Sequence, residues 1–197
     1  MTHLTADLLE FLDRWLPAPP ARLLEIGCGD GALTRTLADH GYRVTGVDPE
    51  APTGEPFVRA SIEEFTADQP FDAAVAIRSL HHVGDLGRAI ERISASLERG
   101  GRLVMHEFAA ERIDERVQRW LADLELDPRL GRRHDDVIPL ATVRAALGER
   151  FIELAEEPVG YLALEAERED LDEREQAAIA EGALPALGIR LAFELRG

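Results

Sequence analysis

Leu23-Leu24-Glu25-Ile26-Gly27-Cys28-Gly29-Asp30-Gly31, followed by Arg43-Val44-Thr45-Gly46-Val47-Asp48, is the stretch whose reading decides the fold. Leu23 to Ile26 reads as a short strand that runs into a glycine turn. A helix follows through Leu33 and Leu37 and ends near Gly41. Arg43 to Val47 is a second strand, closed by Asp48-Pro49. A Gly-x-Gly turn between strand and helix lets a ligand approach the backbone, because no Cβ blocks it. A carboxylate at Asp48, ending the neighbouring strand, can accept both hydroxyl protons of an adenosine ribose. The plainer alternative is a turn that serves only tight strand–helix packing. Gly27, Gly29 and Ala32 also satisfy the relaxed dinucleotide pattern, so the turn alone leaves two cofactor classes open. Asp30 weighs against the dinucleotide, since its charge would sit beside a pyrophosphate at the helix N-terminus.

Outward from this segment, Phe57 to Ala60 reads as a third strand and Asp72 to Ile77 as a fourth, apolar enough to be buried on both faces. Leu86, Ile90, Ile93 and Leu97 mark one helix face, which Gly100-Gly101 is expected to end before a fifth strand, Arg102 to Met105. This alternation predicts an α/β fold with a parallel sheet and crossover helices. Upstream, Leu4, Leu8, Phe11, Leu12 and Trp15 predict an amphipathic helix that stops before Pro17. Downstream, Ile113, Val117, Trp120, Leu121 and Leu124 predict another, and Leu140, Val143 and Leu147 a third. A sixth strand is expected within 151–164. Glu165 to Glu175 reads as a solvated helix or loop, and the alternation from Ile189 to Leu195 as a half-exposed last strand.

The chain has 197 residues, 45% of them apolar, which suits one domain with its own core. Asp and Glu number 38 against 22 basic residues, a net charge of −16 that repels phosphate backbones and anionic membranes. Every basic residue is Arg. That removes a Walker lysine, a Schiff-base lysine and a lysine general base. A lone cysteine, Cys28, forms no intramolecular disulfide and suits a reducing compartment. No apolar run is long enough to span a membrane. A cytoplasmic protein, monomeric or homodimeric, is the expectation, with neither nucleic acid nor membrane as partner.

The segment from Leu23 to Gly31 resembles the first motif of the class I S-adenosylmethionine-dependent methyltransferases, in their small-molecule type 11 branch. Val44 to Asp48 resembles the second motif, and Phe71-Asp72 through Ile77-Arg78-Ser79-Leu80-His81-His82-Val83 the fourth. Gly100 to Val104 is similar to the approach to strand five. The resemblance is strong over residues 20 to 108 and weaker beyond. It implies a Rossmann-like seven-stranded sheet of order 3-2-1-4-5-7-6, with strand 7 antiparallel and helices on both faces. It implies one domain over 1–197, with 1–17 and 108–140 covering the substrate. It implies that Gly27, Cys28 and Gly29 pass under the cofactor's methionine and ribose, that Asp48 holds the ribose hydroxyls and that Pro49 flanks the adenine. Ser61 and Ile62 would meet the adenine edge. The backbone at Arg78 would meet the methionine amino group, and Glu25 would act through water on that group or orient the turn. Many relatives carry an acid where this chain has Ser61, whose hydroxyl accepts with less charge assistance.

The implied reaction is methyl transfer from S-adenosylmethionine to O, N or C of a small-molecule acceptor, leaving S-adenosylhomocysteine. A hydroxyl or amine acceptor needs a nearby base. His81 and His82 follow strand four, and His106 and Glu107 are expected to follow strand five at the same end of the sheet. Each has a structural reading beside the chemical one: a packed or capping histidine, a hydrogen-bonded rim pair. A metal held by these four is disfavoured, since adjacent histidines project differently and no H-E-x-x-H spacing occurs. Arg132-Arg133-His134-Asp135-Asp136 reads as a solvated loop that could alternatively grip an anionic acceptor. Trp120 reads as core more than as pocket wall. Cys28, close to Glu25 and Asp30, reads as a small unreactive residue. The rival functions are a SAM-binding module without turnover and a short NAD-dependent oxidoreductase.

Overall fold

The computed structural model describes residues 5–131 and 137–197. Leu4 and the stretch Arg132 to Asp136 lie outside the described residues. The elements run α1 (Ala6–Trp15), β1 (Arg22–Ile26), α2 (Ala32–Asp39), β2 (Arg43–Val47), β3 (Phe57–Val58), β4 (Phe71–Ile77), α3 (Leu86–Ser96) and β5 (Leu97–Phe108). They continue with α4 (Glu115–Asp123), α5 (Leu140–Leu147), β6 (Phe151–Val159), α6 (Leu162–Glu165), α7 (Asp172–Ala180) and β7 (Gly188–Leu195). The seven strands form one sheet of order β3-β2-β1-β4-β5-β7-β6, as expected. β7 runs antiparallel to both β5 and β6.

Side-chain alternation divides the core into two layers. Leu24, Ala74, Ala76, Leu103 and Met105 face α3 and α5, where Ile90, Ile93, Val143 and Leu147 meet them. Leu23, Ala73, Val75 and Val104 face α1 and α2 on the other side. The central strands are apolar on both faces because helices cover both faces. α1 begins with Thr5, whose hydroxyl caps Leu8 N–H. It buries Leu8, Phe11 and Leu12 on the sheet, each contributing about 1.5–3 kcal/mol. A third apolar cluster joins Phe108, Val117 and Leu121 to Tyr161 and Leu162, with Trp120 packed against it. No helix of the described residues is long and apolar enough to cross a membrane.

Four local expectations are corrected. α3 ends at Ser96, and β5 begins at Leu97 instead of after the glycine pair. Leu97 pairs with Phe71 ahead of a register shift, and Gly101 fits there because a Cβ would press on Glu98 O at 2.9 Å. β5 also runs on through Phe108, so His106 and Glu107 lie within the strand and not beyond it. β7 is buried from Gly188 through Phe193, because it lies between β5 and β6 and not at the sheet edge. Its Arg190 tolerates that position by bonding Asp7 at 2.5 Å and Glu157 at 3.0 Å. Finally, the charge run from Glu165 is not wholly solvated: Glu175 is fully buried.

Candidate active site

β1 ends at Ile26, and the chain turns at Gly27 and Gly29, both with positive φ (73° and 50°). Gly27 N–H and Cys28 N–H donate to Val47 O at 2.8 and 3.2 Å, which ties the turn to the end of β2. A Cβ at Gly27 would overlap the Ser79 side chain, so this glycine answers to packing. A Cβ at Gly29 would meet nothing within 4 Å, so this glycine borders open space. Asp48 closes the turn from the β2 side. Its Oδ2 accepts Gly29 N–H at 3.1 Å, and its Oδ1 accepts Glu50 N–H at 2.7 Å. Four lone-pair directions on a carboxylate leave capacity for further donors.

Gly27, Asp48, Pro49, Ser61, Ile62 and Arg78 line one cleft of about 300 Å³. Glu63 and His82 line it as well. Glu25 and Cys28 are buried behind the turn. Glu25 accepts a hydrogen bond from the Thr34 hydroxyl of α2. Burial pushes its pKa up to about 7, aided by the charges of Asp30 and Asp48. The same surroundings, burial first and then Glu25 and Asp48, push the Cys28 thiol up to about 12. This thiol stays protonated and unreactive at neutral pH. Asp30, just ahead of α2, accepts Ala32 N–H at 3.0 Å.

The turn after β4 forms the opposite wall. Arg78 has φ 53°, a left-handed conformation uncommon outside glycine. Its N–H donates to His106 O at 2.7 Å. Glu107 holds the turn from β5: its Oε1 accepts Ser79 N–H at 3.1 Å and Leu80 N–H at 2.8 Å, and its Oε2 pairs with His81 Nδ1. Glu107 and His81 are therefore buried and engaged, which corrects the rim position expected for Glu107. His106 is likewise no rim residue. Burial, with the nearby charges of Arg190 and Arg78, pulls its pKa down to about 3. Its Nε2 has no hydrogen-bond partner among the described residues.

His82 is exposed and lines a second cleft as well as the first. The second cleft, about 490 Å³, is also walled by His81, Phe108, Leu130, Tyr161 and Glu165. Phe108 and Tyr161 stack with centroids 4.4 Å apart. Glu165 forms an ion pair with Arg78, so a residue of the second cleft grips a residue of the first. Buried Glu175 anchors that wall by accepting N–H bonds from Tyr161, Leu162 and Ala163 at 2.8, 2.9 and 2.8 Å. Sequence reasoning missed Glu63, Phe108, Tyr161, Glu165 and Glu175. Glu63 was the accessible one, two places after Ser61. Glu165 and Glu175 carry no signal inside a run of acids. Among the described residues no group of three His, Cys, Asp or Glu side chains converges as a metal site requires.

The chain is 29% identical over 162 residues to the ubiquinone biosynthesis O-methyltransferase of Azorhizobium caulinodans, covering 71% of this chain and 62% of that protein. It is 33% identical over 117 residues to nodulation protein S of Rhizobium tropici, covering 52% and 48%. The chain thus spans less than two thirds of either relative. A solved S-adenosylmethionine dependent methyltransferase from Mesorhizobium loti superposes with TM-score 0.64 at 16% identity, over 96% of this chain and 98% of that one, a likeness of fold. The family model described as a methyltransferase domain matches residues 1–148. With three quarters of its length inside that match, the chain belongs to the methyltransferase-domain family.

Proposed function

We propose that this chain transfers a methyl group from S-adenosylmethionine to O, N or C of a small-molecule acceptor, within a single domain over 1–197. The observation that carries this is the pair of clefts sharing His82: one bears the glycine turn and Asp48, the other is walled by aromatic and polar side chains. The open space beside Gly29 leaves room for a ligand against the backbone, and the Asp48 carboxylate suits vicinal hydroxyls. Pro49 and Ile62 offer apolar contact to a base, while the Ser61 hydroxyl and Glu63 carboxylate offer acceptors at its edge. Hydrogen bonds from the Gly84 and Asp85 N–H groups and the Ser61 hydroxyl outweigh burial and hold Glu63 below its usual pKa, so it is ionised.

When bound, S-adenosylmethionine supplies a methyl already activated on a sulfonium. The protein's share is alignment, exclusion of water and proton removal. Glu107 and His81 hold the turn that carries Arg78 and His82. His82, exposed where the clefts meet, accepts the acceptor's proton when that acceptor is a hydroxyl or amine. Residues 1–17 and 108–140 serve as the substrate cover on this reading, and of the second stretch Phe108, Asp127, Arg129, Leu130 and Val137 line the second cleft. The acidic surroundings of the turn favour a cation over a pyrophosphate. Asp30 already occupies an N–H at the start of α2 that a dinucleotide would use.

Calorimetry with S-adenosylmethionine, S-adenosylhomocysteine and NADH in turn tests this reading. Saturable binding of the two sulfur ligands without NADH is expected, and NADH binding alone overturns it. His82→Asn is expected to lower kcat for hydroxyl or amine acceptors about 100-fold with the cofactor Kd unchanged.

A further inference from the structure

Arg78 is a cation on the wall of a cleft that, on the reading above, must admit a sulfonium. Left uncompensated, it would repel that charge. The chain supplies the compensation from far away in sequence. Glu165, on α6, pairs with the Arg78 guanidinium, and the two side chains are only 19% and 32% exposed. At that depth screening by solvent and salt is weaker than on the open surface. The partner is held firmly in place. Glu175 takes the first N–H groups of α6 from beneath, and Tyr161, one residue before α6, stacks on Phe108.

We propose that Glu165 sets the cleft's preference for the sulfonium substrate over its neutral thioether product, by neutralising Arg78 at the cleft wall; this rests on the S-adenosylmethionine reading. Methyl transfer changes the charge at sulfur. The methyl leaves to the acceptor, the bonding pair stays on sulfur, and the acceptor's proton passes to His82. Substrate and product therefore differ by one positive charge next to the wall that Arg78 forms. Glu165 is a positioning residue that acts through Arg78 and touches no reacting atom.

The test measures Kd for S-adenosylmethionine and for S-adenosylhomocysteine in the wild type, Glu165→Gln, Arg78→Gln and the double variant. Glu165→Gln removes the negative charge paired with Arg78, so the ratio of substrate to product Kd is expected to rise about fivefold. Arg78→Gln leaves a bare anion, and the ratio is expected to fall. The double variant is expected to return close to the wild-type ratio, even if both affinities drop. Opposite shifts from the two single variants cannot come from loosening of the fold, which weakens both ligands together. An unchanged ratio in both single variants overturns the proposal and assigns the pair to structural support. Wild-type protein that binds neither ligand overturns the cofactor reading itself, and this inference with it.

Discussion

Asp48 shows how one side chain serves both structure and ligand. Its two oxygens hold the N–H groups of Gly29 and Glu50, which fixes the carboxylate's direction before any ribose arrives. Asp48→Ala is expected to cost about 1.5–3 kcal/mol of cofactor binding, from loss of charge-assisted bonds, measured by calorimetry on a variant whose circular dichroism is unchanged. Glu25 behaves differently because it is buried behind the same turn. Its folded pKa, about 7, lies above its ordinary 4.5. Between these values the unfolded chain ionises the group while the folded chain keeps it protonated, so stability falls as pH rises through that window. The cost is absent below the window and constant above it. Glu25→Gln retains an oxygen for Thr34 and cannot ionise. Its stability relative to wild type is expected to improve by roughly 2–3 kcal/mol between about pH 4 and pH 8, read from urea unfolding without ligand at each pH.

At the scale of elements, the decisive pieces are the turn after β4 and the short helix α6. Both are held by buried carboxylates that accept backbone N–H groups. Glu107 serves the first and Glu175 the second. An acid used this way replaces the bonds that a strand or a longer helix would supply. Glu175→Ala would strand three buried donors and is expected to destabilise the fold by about 3 kcal/mol or more, measured by urea denaturation. Glu175→Gln, which keeps one carbonyl oxygen, is expected to lose less. The placement of β7 between β5 and β6 is a second element-level feature. It puts Arg190 in the interior, where Asp7 of α1 and Glu157 of β6 meet it, and so anchors the first helix to the last strand.

For the whole molecule, a net charge of −16 surrounds a cleft with Asp48 and Glu63 on its wall. Such a field concentrates cations and repels phosphate-rich partners. Raising salt from about 50 to about 500 mM is expected to weaken S-adenosylmethionine binding about threefold and to leave S-adenosylhomocysteine less affected, by calorimetry across the series. Equal salt slopes for the two would show that the field does not reach the sulfur. The sheet carries this cleft at the carboxyl ends of β1, β2 and β4, where the strand order reverses and crossover helices leave a crevice.

Local physics made much of this legible from residues alone. Strand, glycine turn and helix from Leu23 to Leu37 follow from short-range periodicity and glycine's backbone freedom, and Asp48 from its place at the next strand's end. The same periodicity set the two-layer core, because alternation in a strand is a property of consecutive residues. Contacts between distant segments decided the rest. Arg78 and Glu165 are 87 positions apart, and His81 and Glu107 are 26 apart. Nothing in either neighbourhood announces its partner. Whether an acid in a charged run is solvated or buried, like Glu175, depends on which backbone donors the fold brings to it. Whether a histidine lies at a rim, like His82, or inside a strand, like His106, depends on where a neighbouring strand stops pairing. Those outcomes belong to packing and burial, which only the assembled sheet and its covering helices determine.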